Sequence, residues 1–215
     1  MNTALGYSES QLSRVLDVLF ASEQPAQVCV VQNMTVQREI PIADPALQVQ
    51  IADAATWHAS ADDRFLFGVA RPLIKKAVFD YFLREKNIDA VLYRNLVDRS
   101  SVLSSTVKTG NGLFVEPLSV ITSFTTLGFA VTVNRQVSIG HHCSIGDFVT
   151  INPGVHIAGH CTIGNAVQIG IGSVVFDHIS IGEGSIIGGG SVVTKDIPAG
   201  VKAWGNPCKV MGTLS

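Results

Sequence analysis

The sequence contains 215 residues, of which 47% are apolar and 15% are charged, and its formal net charge is −2. This near-neutral balance excludes the basic surface on which nucleic-acid binding depends. Although the mean hydropathy is positive at +0.34, no stretch approaches the ~18 uninterrupted apolar residues of a transmembrane helix, so we expect no membrane insertion.

The N-terminal half is predicted to alternate strands and helices in a parallel α/β sheet. Apolar runs predict strands over residues 3–5, 28–31, 65–69 and 91–93. The first helix is predicted to follow a capping box of Ser8 and Gln11, and the second to begin at Pro72. Apolar residues at helical spacing predict their buried faces: Leu12, Val15, Leu16 and Leu19 in the first, and Ile74, Ala77, Val78, Tyr81 and Phe82 in the second.

The C-terminal half is a six-residue repeat. Every sixth residue from Leu103 to Val193 is aliphatic except Thr109, smaller residues lie two positions earlier, and glycine recurs one position later. A period of six predicts a short strand and a tight turn, with three hexads in each coil of 18 residues and parallel strands ~4.8 Å apart. The register runs for about five coils without a break, which favours a coil over a glycine-rich β-sandwich.

Composition supports the same division. Residues 1–100 contain 2 glycines and 22 charged residues, whereas residues 101–215 contain 18 glycines and 10 charged residues. We expect one domain over residues 1–97 and a second over residues 98–215. The four cysteines follow no paired spacing and the first residues lack the segments of a signal peptide, so we expect a cytoplasmic protein with reduced thiols.

The hexad pattern resembles the hexapeptide-repeat acyltransferases. The tail from Val192 to Gly200, followed by Trp204-Gly205-Asn206-Pro207, is similar to that family's exit from the coil. The resemblance implies an N-terminal Rossmann-like α/β domain followed by a left-handed parallel β-helix. It also implies a homotrimer that binds acyl-CoA in the cleft between neighbouring helices.

The two-domain order is more specifically similar to nucleotide-amino-sugar N-acetyltransferases of the bacillosamine type, which act in bacterial glycan and lipopolysaccharide synthesis. The sialic acid O-acetyltransferase family shares this order. The family's first loop, G-A-x-G-H-[AG], here reads Gly6-Tyr7-Ser8-Glu9-Ser10-Gln11. The resemblance implies that substrate is bound by Gly6, Tyr7, Ser8, Ser10 and Gly68; the alternative is a purely structural role for the first half.

The segment from Ser138 to Gly146 matches the family pattern I-[GE]-H-[DE]-C-x-I-G, whose histidine is the catalytic base. The resemblance therefore implies that His141 is the base; imidazole suits this role because its ordinary pKa is near 6.5. His142 occupies the position of the acidic residue that orients the base, so we expect it to take part in catalysis. The alternative for His141 is a solvated turn histidine.

Further roles are implied by position in the family pattern. Asn134 is expected to contact the acceptor near its amine, and the alternative is an asparagine that fits a coil turn. Thr150 stands where the family often has a histidine on the acyl carbonyl, which predicts a pocket for a group larger than acetyl. The CoA arm is expected to be lined by Thr150, Gly159, Ile171 and Gly189, although turn geometry also explains the glycines.

The histidines His142, His160 and His178 are 18 residues apart. We expect them to stack on one corner of the coil, ~4.8 Å apart and mostly neutral above pH 7. Such in-line donors make a poor tetrahedral metal site, so hydrogen bonding at an interface is favoured and no metal is expected. Cys143 and Cys161 are interpreted as interior small hydrophobes.

The sequence therefore predicts an acyl-CoA-dependent N-acyltransferase that acts on the amine of a nucleotide-linked amino sugar. Two alternatives remain open at this point. One is O-acetylation of a sugar or a sialic acid, which the sequence does not separate from N-acylation. The other is a non-enzymatic β-helical scaffold, which would not bind CoA.

Overall fold

The computed structural model describes residues 1–23, 27–32 and 47–214. The N-terminal unit is a four-stranded parallel sheet of order β3-β2-β1-β4 with two helices, which is the strand order of a Rossmann-type sheet. Its elements are β1 (Asn2–Leu5), α1 (Glu9–Glu23), β2 (Gln27–Gln32), β3 (Gln48–Asp53), β4 (Arg64–Phe67), α2 (Pro72–Lys86) and a 3₁₀ turn (Ala90–Leu92).

Three of the predicted strands and both predicted helices are confirmed. The strand expected over residues 91–93 is wrong, because Ala90–Leu92 forms a 3₁₀ turn and Tyr93 makes a single bridge to Phe65. The strand β3 was not predicted; it is an edge strand that pairs with β2, and its sequence, QVQIAD, contains only three apolar residues. Edge strands of this kind carry a weak apolar signal because neither face is fully buried.

The predicted details of the helices are partly wrong. Instead of a capping box, the Ser8 amide donates to Gly68 O at 2.8 Å, and the Gln11 side chain accepts from Arg14 at 2.6 Å. The four predicted core residues of α1 are buried. In α2 the buried face is rotated from the predicted one: Ile74 and Ala77 are exposed, whereas Lys75, Val78 and Phe82 are buried.

Residues 96–214 form a parallel β-helix with three faces. The strands of the first face are Leu96–Val97, Phe114–Val115, Thr132–Val133, Thr150–Ile151, Gln168–Ile169, Ile186–Ile187 and Val201–Trp204, with Lys209–Thr213 antiparallel at the edge. The second face holds Val102–Leu103, Val120–Ile121, Ser138–Ile139, His156–Ile157, Val174–Val175 and Val192–Val193. The third face holds Lys108–Thr109, Thr126–Leu127, Ser144–Ile145, Thr162–Ile163 and Ser180–Ile181.

The six-residue period fixes the interior of the β-helix. Strands 18 residues apart pair in register, as in Ser138 with His156, and the aliphatic column forms one buried core from Val115 to Val193. Cys143 and Cys161 lie in this interior, 2% and 0% exposed, and their thiols donate to the carbonyls of Ala158 and Phe176. Their interpretation as interior small residues is confirmed.

The N-terminal unit covers the first face of the β-helix. Lys75 of α2 is fully buried there, and its ammonium donates to Ala130 O at 2.6 Å, Thr132 Oγ1 at 3.0 Å and Val149 O at 3.4 Å. Burial lowers the pKa of Lys75 to about 7. The Thr150 hydroxyl donates to Ala70 O at 2.7 Å. These bonds fix α2, and the loop before it, against the coil.

Neither helix in the described ranges has the length and apolar character that a membrane span requires.

Candidate active site

His141 lies on the corner that joins the second face to the third, which we call the second corner. Its side chain is exposed because the preceding Ile139 is the inward residue of the strand and the chain turns outward after Gly140. His142 follows with φ of 58°, a left-handed conformation that histidine tolerates better than most residues. The two Nδ1 atoms are 3.1 Å apart, so one ring donates to the other.

The ring of His141 rests on the next coil at Gly159. A Cβ added to Gly159 would lie 2.9 Å from Cε1 and 3.1 Å from Nε2 of His141, closer than real Cβ contacts allow. Glycine at this position therefore makes the room in which the imidazole lies. Gly159 was expected to line the CoA arm; the structure places it beneath His141.

The expected histidine ladder is confirmed as a stack of rings. His142 and His160 are 5.0 Å apart with an interplanar angle of 14°, and His160 and His178 are 4.7 Å apart at 4°. Phe124 extends the column beyond His142 at 4.9 Å. Loss of hydration and the neighbouring histidines, with His178 first, lower the pKa of His160.

A second group of predicted residues lines a cleft of about 390 Å³ between the N-terminal unit and the first face. Arg71 is the one charged side chain among the described residues that line it, and α2 begins at the next residue. The cleft therefore combines polar groups, a positive charge and the amide end of a helix, which together suit an anionic ligand. Its lining consists of Tyr7, Ser8, Ser10, Val69, Ala70, Arg71, Ile74, Thr150, Asn152 and Gln168.

The two glycines predicted to bind substrate lie underneath this cleft. Gly6 has φ of 78° and its amide donates to Val31 O, and the Gly68 amide donates to Leu5 O. A Cβ on Gly68 would overlap the carbonyl oxygen of Gly6. The glycines thus let the two loops approach each other, and they place Tyr7, Ser8 and Ser10 at the surface of the cleft.

Asn134 has partners of its own at the corner that joins the first face to the second, which we call the first corner. Its carboxamide oxygen accepts from Arg14 at 2.5 Å, and its Nδ2 donates to Ile151 O at 3.0 Å. The side chain is 1% exposed. Arg14 also approaches the buried Glu116, at 3.4 Å. The Asn134 amide is therefore engaged within the chain, as is the Thr150 hydroxyl.

Three of the four predicted CoA residues divide between the two corners, whereas the fourth, Thr150, lies on the first face. Ile171 stacks over Gly189 on the first corner, where a Cβ on Gly189 would lie 3.1 Å from Ile171 Cγ2, and the Ile171 side chain is 61% exposed. Gly159 lies on the second corner with His141. One chain therefore brings together the residues of each corner, but the second face separates the two groups.

Sequence reasoning missed the side chains of Arg71 and Gln168 as functional candidates, and it missed the buried Lys75. Arg71 had a local signal, because it directly precedes Pro72 at a helix start, next to a strand end where ligands bind in open α/β sheets. Lys75 had none, since a lysine in an amphipathic helix is ordinarily on the solvated face.

No protein-family model matches the sequence, and neither does any curated protein. Solved structures do match over nearly the whole chain. The acetyltransferase domain of PglB from Neisseria gonorrhoeae FA1090, in complex with acetyl coenzyme A, is 22% identical with a TM-score of 0.83, and the match covers 98% of each chain.

Two further structures have the same extent of likeness. PerB from Caulobacter crescentus, in complex with CoA and GDP-perosamine, is 21% identical with a TM-score of 0.81 over 99% of this chain and 98% of that one. WeeI from Acinetobacter baumannii AYE is 23% identical with a TM-score of 0.81, over 97% and 100%. The likeness establishes the fold, an α/β domain followed by a left-handed parallel β-helix, as the sequence predicted.

Proposed function

We propose that the chain is an acyl-CoA-dependent N-acyltransferase that transfers an acetyl or larger acyl group to the amine of a nucleotide-linked amino sugar. The observation that carries this proposal is the exposed His141, whose Nδ1 is paired with His142 while its ring lies over Gly159. The shared fold with acetyltransferases crystallised with acetyl coenzyme A or with CoA and GDP-perosamine supports it.

His141 supplies the base in this proposal. When its Nδ1–H donates to Nδ1 of His142, its Nε2 carries a free lone pair. That lone pair accepts the proton of the amine as the amine attacks the thioester carbonyl. The resulting imidazolium then donates the proton to the thiolate that leaves, so that an amide and a free thiol are formed and the base is restored. His142 is the positioning residue that fixes the tautomer.

The cleft beside the first face is our proposed site for the nucleotide-linked sugar. Arg71, the hydroxyls of Ser8 and Ser10, and the start of α2 supply donors for a diphosphate. Since Thr150 lines the cleft and holds Ala70, we propose that it shapes the floor of the acyl and sugar pocket. Asn134 in this proposal turns from Arg14 toward the acceptor when the substrate is bound.

The division between the corners supports a homotrimer as the active form. His141 on the second corner and the cleft on the first face lie apart in one chain, so a neighbouring chain must bring a second corner to a first corner. The outward column of the second face is rich in valine at positions 102, 120, 174 and 192, which suits contact with another copy. Acyl-CoA then lies between subunits, along Gly159 of one chain and Ile171 and Gly189 of the next.

Replacement of His141 tests the proposed base. We expect His141→Ala to lower turnover by ~10²–10⁴, which is the usual contribution of a general base, with assembly unchanged. The control is His58→Gln, an exposed histidine of the N-terminal unit, which should retain the parent rate. Turnover of His141→Ala at the parent rate would show that the amine attacks without this base.

The acceptor and donor are identified in one experiment by mass spectrometry. Acetyl-CoA and 3-hydroxybutyryl-CoA are each incubated with UDP-, dTDP- and GDP-linked amino sugars, and an acyl mass gain on an amine is expected. Mass gain on sialic acid hydroxyls alone would instead establish O-acetylation. If the protein does not bind CoA at all, the non-enzymatic scaffold is the better explanation. Strict preference for acetyl-CoA would contradict the proposal that the acyl pocket accepts a group larger than acetyl. We propose further that the reaction belongs to lipopolysaccharide synthesis and takes place in the cytoplasm.

A further inference from the structure

Three histidines of the second corner bring their ring nitrogens together. One nitrogen each from His141, His142 and His160 lies within 4.8 Å of the other two, and all three side chains are exposed. His142 and His160 belong to the stacked ladder, whereas the His141 ring is perpendicular to both, at 88° and 87°. The sequence alone predicted three donors in line, those of His142, His160 and His178. The structure adds His141 beside this line, so that His141, His142 and His160 form a triangle.

One edge of the triangle has the length that a tetrahedral metal site requires, and the nitrogens along the other two edges lie within 4.8 Å of each other. Zinc–nitrogen distances of about 2.0–2.1 Å imply ligand nitrogens roughly 3.3 Å apart, and the two Nδ1 atoms of His141 and His142 are already 3.1 Å apart. The remaining ligand, His160, must give up its stacking with His142 and His178 and turn its ring. The side chain of His160 is exposed, and the rings in contact with it, those of His141, His142 and His178, are exposed as well, so this rotation displaces no buried side chain.

We propose that His141, His142 and His160 bind one divalent transition-metal ion of the class that prefers imidazole, such as Zn²⁺, with water in the fourth position. The ion is an inhibitor rather than a cofactor, because a neutral His141 that binds the metal through Nδ1 carries its ring proton on Nε2, which then has no lone pair for the proton of the amine. This inhibitory consequence rests on the proposed function, whereas the binding does not.

Zinc binding is tested by titrating chelator-treated protein with ZnCl₂ in a calorimeter. We expect one Zn²⁺ per chain, and His160→Gln is expected to weaken binding about tenfold or more, as loss of ~1.4 kcal/mol would. The matched control is His178→Gln, which removes a ring from the ladder but not from the triangle and should bind as the parent does. Glutamine suits the backbone, since Gln136 has φ of 59° at the equivalent place on the first corner, as does His160.

Several outcomes would overturn the proposal. Absence of Zn²⁺ binding would do so directly, and equal losses in His160→Gln and His178→Gln would place the ion on the ladder instead. MgCl₂ that binds as tightly as ZnCl₂ would indicate non-specific cation attraction, because Mg²⁺ prefers oxygen ligands.

The inhibitory role has its own readout. Zn²⁺ should stop acyl transfer by the parent protein, EDTA should restore it, and His160→Gln should resist inhibition. Stoichiometric Zn²⁺ binding without inhibition would refute the inhibitory role and would count against His141 as the base. Absence of Zn²⁺ binding would refute the metal site and leave the proposed acyl transfer untouched.

Discussion

The first and third faces of the β-helix share one inward pattern but have opposite surroundings. Inward residues such as Val133 and Ile145 are buried alike on both faces. The outward residues differ: on the first face those of the first four strands, Leu96, Phe114, Thr132 and Thr150, are buried under the N-terminal unit. On the third face they are exposed and polar, namely Lys108, Thr126, Ser144, Thr162 and Ser180. The six-residue period thus builds the coil, and the outward column decides what each face contacts.

The second face lies between these extremes. Its outward column includes Val102, which is 59% exposed, and Val120, which is 41% exposed. In this respect the second face resembles the first face, which is covered, more than the third face, which is exposed. We therefore expect a second copy of the chain to cover this face, and changes here should act on assembly.

The largest effect is expected from charge on the second face. Val120→Glu combined with Val174→Glu would bury two unpaired carboxylates in the proposed interface, which costs several kcal/mol. We expect the trimer to dissociate, as measured by light scattering after size exclusion. The control places the same charges on the third face, as Thr126→Glu with Thr162→Glu, and should leave the assembly intact. If the protein with Val120→Glu and Val174→Glu is still a trimer, the second face is not the interface.

The buried Lys75 tests the contact between the first face and the N-terminal unit. Its pKa is about 7 in the folded chain against 10.5 for a free lysine, so the folded state binds fewer protons between these values. Unfolding then takes up a proton, and stability rises with pH across this window by at most about 1.4 kcal/mol per unit. In Lys75→Met this rise should disappear.

Denaturant unfolding at fixed protein concentration between pH 7 and 10 measures the difference. Lys76→Met is the matched control, because Lys76 is the neighbouring residue, is 54% exposed and forms an ion pair with the exposed Asp80. It should keep the parent's pH dependence. A parallel pH dependence in the parent and Lys75→Met would mean that Lys75 does not titrate in this window.

An intermediate effect is expected at the second corner from Gly159→Ala. The new Cβ would meet the edge of the His141 ring, which turns away at little cost because it is exposed. Stability should therefore hardly change, while turnover should fall by about 10–100-fold because a misplaced base loses its alignment. Gly212→Ala, where an added Cβ meets nothing within 4 Å, is the control. Parent-like turnover in Gly159→Ala would show that the ring position is not critical.

The local six-residue period also explains which parts of the fold and of the candidate site the sequence could predict. The coil, its register and the exposed His141 follow from a local period that repeats at every strand. The contacts of Asn134 with Arg14 and of Thr150 with Ala70 join residues 120 and 80 positions apart, and no local pattern encodes them. For the same reason helical spacing predicted Ile74 as a core residue of α2, whereas the docked helix buries Lys75.

The smallest effect is expected at Thr150, and it separates two roles for this side chain. Thr150→Val keeps the shape but leaves Ala70 O without the 2.7 Å bond, which should cost about 1 kcal/mol of unfolding free energy. Thr162→Val, at the corresponding outward position of the exposed third face, should change stability by less than about 0.5 kcal/mol. If Thr150 serves only the contact between the domains, turnover and KM for the acyl donor remain close to the parent's. A loss of kcat far larger than the loss of stability would instead show that the hydroxyl leaves Ala70 and contacts the acyl group during the reaction.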